Sequence, residues 1–377
     1  VTRQDIAVPD DVPRYGSLDH WRGVAALSVM FFHSFGAIRG AGLPVHGSIA
    51  WLKWLADFGW FGVHLFFVIS GFCIAANVCR LAKGGLGPWD FFRDRLLRIY
   101  PTYWAVCGVT LVVAMATMPL NHTSFAHNLP SGGLALLGNI LLIEPYLKAP
   151  AFILVSWSLV FEIRFYLLVT LGFVLFRAGV GLPWLLVAAV ALAVAGLCNL
   201  DHGVLFVLGF WPEFLCGGLV FLALAWKRAG WKLPAMILSL PVIFLVLGCF
   251  SLPTAERVGE MIGAGVFALL LFALHPLDAT ICGLRWLRWL SWVSGISYSL
   301  YLIHVPLEGR VVNLGLRWIA SDSPAQIILE ITGWLVALAG AWLFYEFCEA
   351  PLERWRHSQR RKTVSLKQQP VVAARKI

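Results

Sequence analysis

Arg22 and His33 are the first residues in this chain whose types and spacing point to chemistry. Eleven positions at 100° each put them within about 20° of one helical face, roughly 16 Å apart along the axis. Imidazole suits a general base because its unperturbed pKa of about 6.5 lies near working pH. An arginine on the same face would guard the path to it. The plain alternative is an Arg22 that snorkels as a topogenic charge and a His33 that only packs and hydrogen bonds.

A second group lies in Ser156-Trp157-Ser158-Leu159-Val160-Phe161-Glu162-Ile163-Arg164-Phe165-Tyr166. Glu162 and Tyr166 are four apart, so the carboxylate can point into a bundle with the phenol hydroxyl supporting it. The alternative is a structural ion pair between Glu162 and Arg164. Further upstream, Phe91-Phe92-Arg93-Asp94-Arg95-Leu96-Leu97-Arg98-Ile99-Tyr100-Pro101 sets Arg95 and Arg98 three apart at a helix entrance. Planar guanidinium donors grip phosphate bidentately, although a basic collar that fixes topology has the same spacing. His64 and His304 each fall near the outer end of an apolar segment, where spacing alone does not separate a functional histidine from a satisfied core one.

The elements that must hold these residues are apolar blocks near 21–38, 59–76, 99–118, 134–143, 152–176, 184–198, 204–226, 235–250, 260–274, 290–305 and 326–347. Ionisable groups inside such blocks cost several kcal/mol by insertion scales, which makes each a functional candidate. The loop with Arg80, Lys83, Arg93, Arg95 and Arg98 and the tail from Arg354 onward are both basic and are expected on the cytoplasmic side. An even number of crossings must then separate the chain ends, so one of the eleven blocks does not cross. Segment 134–143 is the shortest, spanning about half of a hydrocarbon core roughly 30 Å thick. The expected fold is therefore all-α: a polytopic helical membrane bundle of about ten transmembrane helices plus one short re-entrant or interfacial segment, with both termini cytoplasmic. Residues 1–352 form the integral membrane domain, and 353–377 are a basic, disordered cytoplasmic tail.

Composition agrees, because 59% of the 377 residues are hydrophobic and only 13% are charged, against roughly a quarter charged in soluble domains. A transmembrane barrel is excluded by continuous apolar runs such as 204–226 where a barrel needs alternation. The net charge of +9 is explained by topology, so no nucleic-acid partner is expected. The eight cysteines show no paired spacing for zinc or a disulfide framework, and no metal is expected. The first twenty residues are polar, with no cleavable signal, so the first helix is expected to direct its own insertion.

The order of several motifs resembles the integral membrane acyltransferases of acyltransferase family 3. They are Arg22 and His33 around Leu18-Asp19-His20-Trp21-Arg22-Gly23, then Phe66-Phe67-Val68-Ile69-Ser70-Gly71-Phe72, then the arginine pair before Tyr100-Pro101. Trp157-Ser158-Leu159 with Glu162 and Phe165-Tyr166, Ile296-Ser297-Tyr298-Ser299-Leu300-Tyr301-Leu302-Ile303-His304, and Glu349-Ala350-Pro351 complete the set. The resemblance implies transfer of an acyl group, commonly acetyl, from a cytoplasmic acyl-CoA to a hydroxyl of a carbohydrate or other envelope acceptor. It implies His33 as the base, Arg22 as its partner, Arg95 and Arg98 near the donor, and Glu162 on the acceptor side. It also implies ten spans in a bacterial-type inner membrane. Two departures bear on the acceptor: His64 stands where many members carry Asp, and Ile163-Arg164 replaces a more usual Glu-Gln.

In the expected mechanism the acyl-CoA is a donor substrate and no cofactor stays bound. Its phosphates lie near Arg95 and Arg98, its arm rises past Arg22, and its thioester reaches His33. A carbohydrate or lipid-linked glycan arrives from outside past Trp157 and Glu162, with Ser158, Tyr166, His64 and His304 in supporting positions. Membrane lipid is the remaining partner. Alternatives are a transporter or flippase of a lipid-linked sugar, a non-catalytic assembly partner, and succinyl transfer, for which Arg164 supplies a spare positive charge.

Overall fold

A computed structural model of the chain describes residues 12–45, 47–121, 130, 132–197, 208–226, 239, 242 and 255–368. Every regular element among them is helical, with no strand. The order is α1 (Leu18–Ser34), α2 (Gly36–Ala41), α3 (Gly47–Asp57), α4 (Gly62–Lys83), α5 (Pro88–Asn121), α6 (Gly133–Leu141), α7 (Ser156–Arg177) and α8 (Leu182–Leu197). There follow α9 (Trp211–Ala225), α10 (Ala255–Leu274), α11 (Asp278–Gly283), α12 (Arg288–Gly295), α13 (Ser297–Gly315), α14 (Gln326–Phe344) and α15 (Ala350–Gln368). The apolar segment read at 235–250 lies, apart from Ser239 and Val242, outside the described residues.

Five helical stretches are long and apolar enough to cross a membrane: Ile49–Lys83, Pro88–Pro119, Ser156–Arg177, Gly259–Gly283 and Gln326–Arg361. Leu182–Gly196 and Trp211–Ala225 are apolar but shorter. α1 and α13 fall outside this set, and their composition explains it. α1 carries Asp19, His20, Arg22 and His33, and α13 carries His304, Glu308 and Arg310.

α6 covers most of the short segment at 134–143. Nine residues make a stub about 14 Å long, too short to span. Its last carbonyls also accept from side chains of α5: Tyr103 to Asn139, which shares its oxygen with the Leu142 N–H, Trp104 to Ile140 and Tyr100 to Leu141. The Asn139 amide then ties the stub to the approach of α7, donating to Pro150 and accepting from the Phe152 N–H.

α1, α4, α9, α12, α13 and α14 form the centre, with the closest pairings between α4 and α9 and between α13 and α14. The α4–α9 contact is a glycine crossing. A Cβ on Gly71 would fall 1.9 Å from the Phe214 carbonyl oxygen, and one on Gly217 would fall 1.8 Å from that of Val68. Small residues let backbones approach where apolar burial cannot drive association against lipid. The start of α1 is fixed from the far end of the sequence, because the backbone N–H groups of Gly16 and Ser17 donate to the Asp278 carboxylate at 2.9 and 2.8 Å. α14 leaves the bundle through a π-helical turn, Tyr345–Glu349, and α15 then packs against α5. The segment from 353 that reads as disordered thus runs as helix through Gln368. Strong helix formers fill it, and the buried Arg356 faces Asp94 of α5 at 4.0 Å.

Candidate functional site

One cavity, with about 780 Å³ of empty space, gathers residues from five helices. Arg22 enters from α1, Ser70 and Cys73 from α4, Arg95 and Arg98 from α5, Ser158, Glu162 and Tyr166 from α7, and Tyr298 and Tyr301 from α13. Six residues singled out in the sequence therefore share one wall: Arg22, Arg95, Arg98, Ser158, Glu162 and Tyr166. Arg22 is held there by close packing of α1 on α12, where a Cβ on its neighbour Gly23 would meet the Leu290 carbonyl oxygen at 2.4 Å. Three guanidinium groups against one lining carboxylate give the cavity a positive field.

The carboxylate is oriented as the i, i+4 spacing requires, with the Tyr166 hydroxyl donating to Glu162 Oε1. Arg95 is buried below, its guanidinium 5.9 Å from the Tyr166 ring and 5.7 Å from that of Phe91. The alternative pairing of Glu162 with Arg164 is not what forms. Adjacent but one on a helix, the two diverge, and Arg164 stacks on Tyr146 at 4.2 Å, outside the cavity. Near Tyr146, burial lifts the Glu144 carboxyl above the ordinary carboxylate range, against the pull of its Ser156 hydrogen bond and the Arg164 charge.

His33 and His304 do not line the cavity but meet each other, His304 Nε2 lying 3.3 Å from His33 Nδ1. Their protonation follows from their partners. A carbonyl oxygen only accepts, so His304 Nδ1 at 2.9 Å from the Leu300 oxygen carries a proton, and in the neutral ring Nε2 keeps its lone pair. By the same argument His33 Nδ1–H is directed to the Val29 oxygen at 3.0 Å and shared with His304. His33 Nε2 is then the nitrogen with a free lone pair. Tyr301 connects the two regions. It lines the cavity, lies 2.6 Å from the Ser158 hydroxyl, and has its ring 6.2 Å from that of His304.

Trp157 points away from this line into an aromatic cluster with Phe67, Phe161 and Phe210. His64 is buried on the other side of that cluster, its Nδ1 2.9 Å from Glu213 Oε1 and its Nε2 4.0 Å from Glu260. Donor atoms of His64, Glu213 and Glu260 lie within 4.8 Å of one another, the set among the described residues with spacing suited to a cation.

Glu213 and Glu260 were not singled out in the sequence, nor were Glu308 and Glu330, which are both fully buried. The signal was available, since each stands in or beside an apolar run where a carboxylate is costly. Tyr298 and Tyr301 were quoted as parts of a motif without a role, and a tyrosine in an apolar helix gives no such alarm.

Comparison with known proteins bears on the whole of this arrangement. The chain is 28% identical over 318 residues to the exopolysaccharide production protein ExoZ of Rhizobium meliloti (strain 1021), covering 81% of this chain and 92% of that one. No solved structure matches. The family described as acyltransferase domain, acyltransferase family 3, matches residues 15–346, a range holding every residue of the cavity and both paired histidines, and the chain is a member of that family and an acyltransferase of the membrane.

Proposed function

We propose that this enzyme moves an acetyl group from acetyl-CoA to a hydroxyl of an envelope carbohydrate of the exopolysaccharide kind. The observation that carries the reading is the convergence of Arg22, Arg95 and Arg98 on one cavity, with the His33–His304 pair further along the helices that line it. A polyanionic donor fits the arginine end, where guanidinium groups bind phosphate oxygens with charge-assisted bonds. The acceptor class rests on the relative's role in exopolysaccharide production. Arg164, which would have favoured succinyl, does not line the cavity.

Thioester to ester transfer requires a positioned hydroxyl, removal of its proton and stabilisation of the oxyanion. In the proposed reaction the acceptor oxygen attacks the thioester carbonyl carbon while its proton passes to His33 Nε2. The C–S bond then breaks, and the same proton neutralises the departing thiolate. His304 holds its lone pair toward His33 Nδ1–H and so stabilises the imidazolium. Glu162, oriented by Tyr166, belongs to the acceptor side. The basic end with Arg95, Arg98 and α15 faces the cytoplasm, and about ten crossings of the inner membrane leave both termini there.

Calorimetric titration of the detergent-purified protein with acetyl-CoA tests the donor assignment. Binding should survive His33→Ala and be lost in the Arg95→Ala/Arg98→Ala double variant, with His33→Ala abolishing transfer to a polysaccharide acceptor. Absence of binding to folded wild type would refute the donor.

A further inference from the structure

Outside the central cavity, a different face of α5 borders a second basic recess. A small void under α15 is lined by Arg98, Thr102, Glu349 and Arg356 among others, and Arg98 also lines the central cavity. Arg356 and Leu97 pass from that void into a shallow outer groove between α5 and α15, where Arg93 and Arg360 join them. Arg93 and Arg98 are five residues apart, so the groove begins about 7.5 Å further out along the helix.

Arg356, among the described residues, is paired only at long range. The Arg356 side chain is only 10% exposed, yet its carboxylate neighbours stand off at 4.0 Å (Asp94) and 3.7 Å (Glu353). Asp94 is shared with Arg95, itself 3.9 Å away. Among the described residues Arg356 Nε and Arg95 Nε, both buried, have no hydrogen-bond partner. Asp90, the other acid of the groove, has one oxygen engaged with the Gly87 N–H at 2.7 Å. Buried guanidinium donors left open cost free energy unless an anion takes them.

We infer that the groove between α5 and α15 is a subsite for a phosphate monoester, the 3′-phosphate of the donor's nucleotide, held by Arg93, Arg356 and Arg360. This rests on the acyl-CoA reading above and extends it. The donor's arm runs through the central cavity toward His33, its diphosphate passes Arg95 and Arg98, and the nucleotide ends outside, where its most highly charged group meets the outer arginines. α15 is thereby part of the donor site.

The test compares CoA with 3′-dephospho-CoA by calorimetry on the full chain in phosphatidylcholine nanodiscs. Wild type should bind CoA about tenfold or more tightly than 3′-dephospho-CoA. Arg93→Gln with Arg360→Gln should weaken CoA to the level of the dephospho form while leaving the latter unchanged. Arg356→Gln should do the same, and because Arg356 is buried the Arg93/Arg360 pair carries the test if that variant does not fold. An unchanged ratio in the folded double variant overturns the subsite, and so does equal affinity of wild type for the two ligands. No binding of either ligand to wild type overturns the acyl-CoA reading itself. An anionic lipid phosphate would suit the same groove. If the variants alter only the response to added phosphatidylglycerol and leave the CoA ratio unmoved, the groove is a lipid site and the inference fails.

Discussion

The two histidines at the end of α1 and in α13 divide their work by hydrogen-bond logic. Each Nδ1 faces a backbone carbonyl of its own helix, and only one nitrogen of the pair, His33 Nε2, is left without an assigned neighbour. If His33 is the base proposed above, His304→Ala removes an acceptor from His33 without touching Nε2. It is expected to lower kcat by about tenfold to a hundredfold with KM for acetyl-CoA unchanged, whereas His33→Ala loses the full 10²–10⁴ of general base catalysis. Steady-state kinetics on both variants distinguishes the two roles, and equal losses would remove the distinction. At this scale the sequence revealed some pairs that lie on one helix. Arg22 and His33, Glu162 and Tyr166, and Arg95 and Arg98 are all pairs within a single element, and spacing alone fixed their faces. Partners from distant segments stayed hidden. Nothing in the neighbourhood of His64 announces Glu213, 149 residues away, and nothing beside His33 announces His304.

Among the elements, the glycine crossing of α4 on α9 matters most to the cavity, because Phe67, Ser70 and Cys73 line it from the same stretch of α4. Gly217→Ala puts a methyl into the Val68 carbonyl and must separate the helices, at a cost of about 1–3 kcal/mol and with loss of donor affinity. Gly218→Ala is the control, since its Cβ would sit 3.9 Å from the nearest atom, the Gly71 carbonyl oxygen. Thermal unfolding in detergent should show a lowered midpoint for the first variant alone. The apolar blocks that fall among the described residues recur as helices, and the shortness of α6 was legible in the length of its block. α15 was not, because a hydrophilic, arginine-rich segment after the last apolar run gives no periodic signal, and its anchor is a single buried guanidinium opposite Asp94. Conversely, the polar residues of α1 and α13 are what keep them from reading as clear membrane spans.

For the molecule as a whole, the net charge of +9 has more than a topological use. Arginines run from α15 through the entrance of α5 to Arg22 in the central cavity. A donor drawn in by such a field should bind more weakly as salt rises, with the largest change between 0.05 and 0.5 M, where the screening length falls from roughly 14 to 4 Å. Affinity for acetyl-CoA should drop severalfold over that range in wild type and change less in the Arg93→Gln/Arg360→Gln variant, which keeps weaker binding, and a salt-independent wild type would argue against electrostatic capture. That charge track was legible as residues but not as a track, since its members come from three helices distant in sequence. The cavity also contains a thiol, Cys73, in the free form on its α4 wall. With the other seven cysteines replaced by serine, that sulfur becomes a built-in occupancy gauge: a small thiol-reactive reagent should modify it when the cavity is vacant and be shut out when CoA is seated, so the rate of labelling in intact membranes would report donor occupancy without purification.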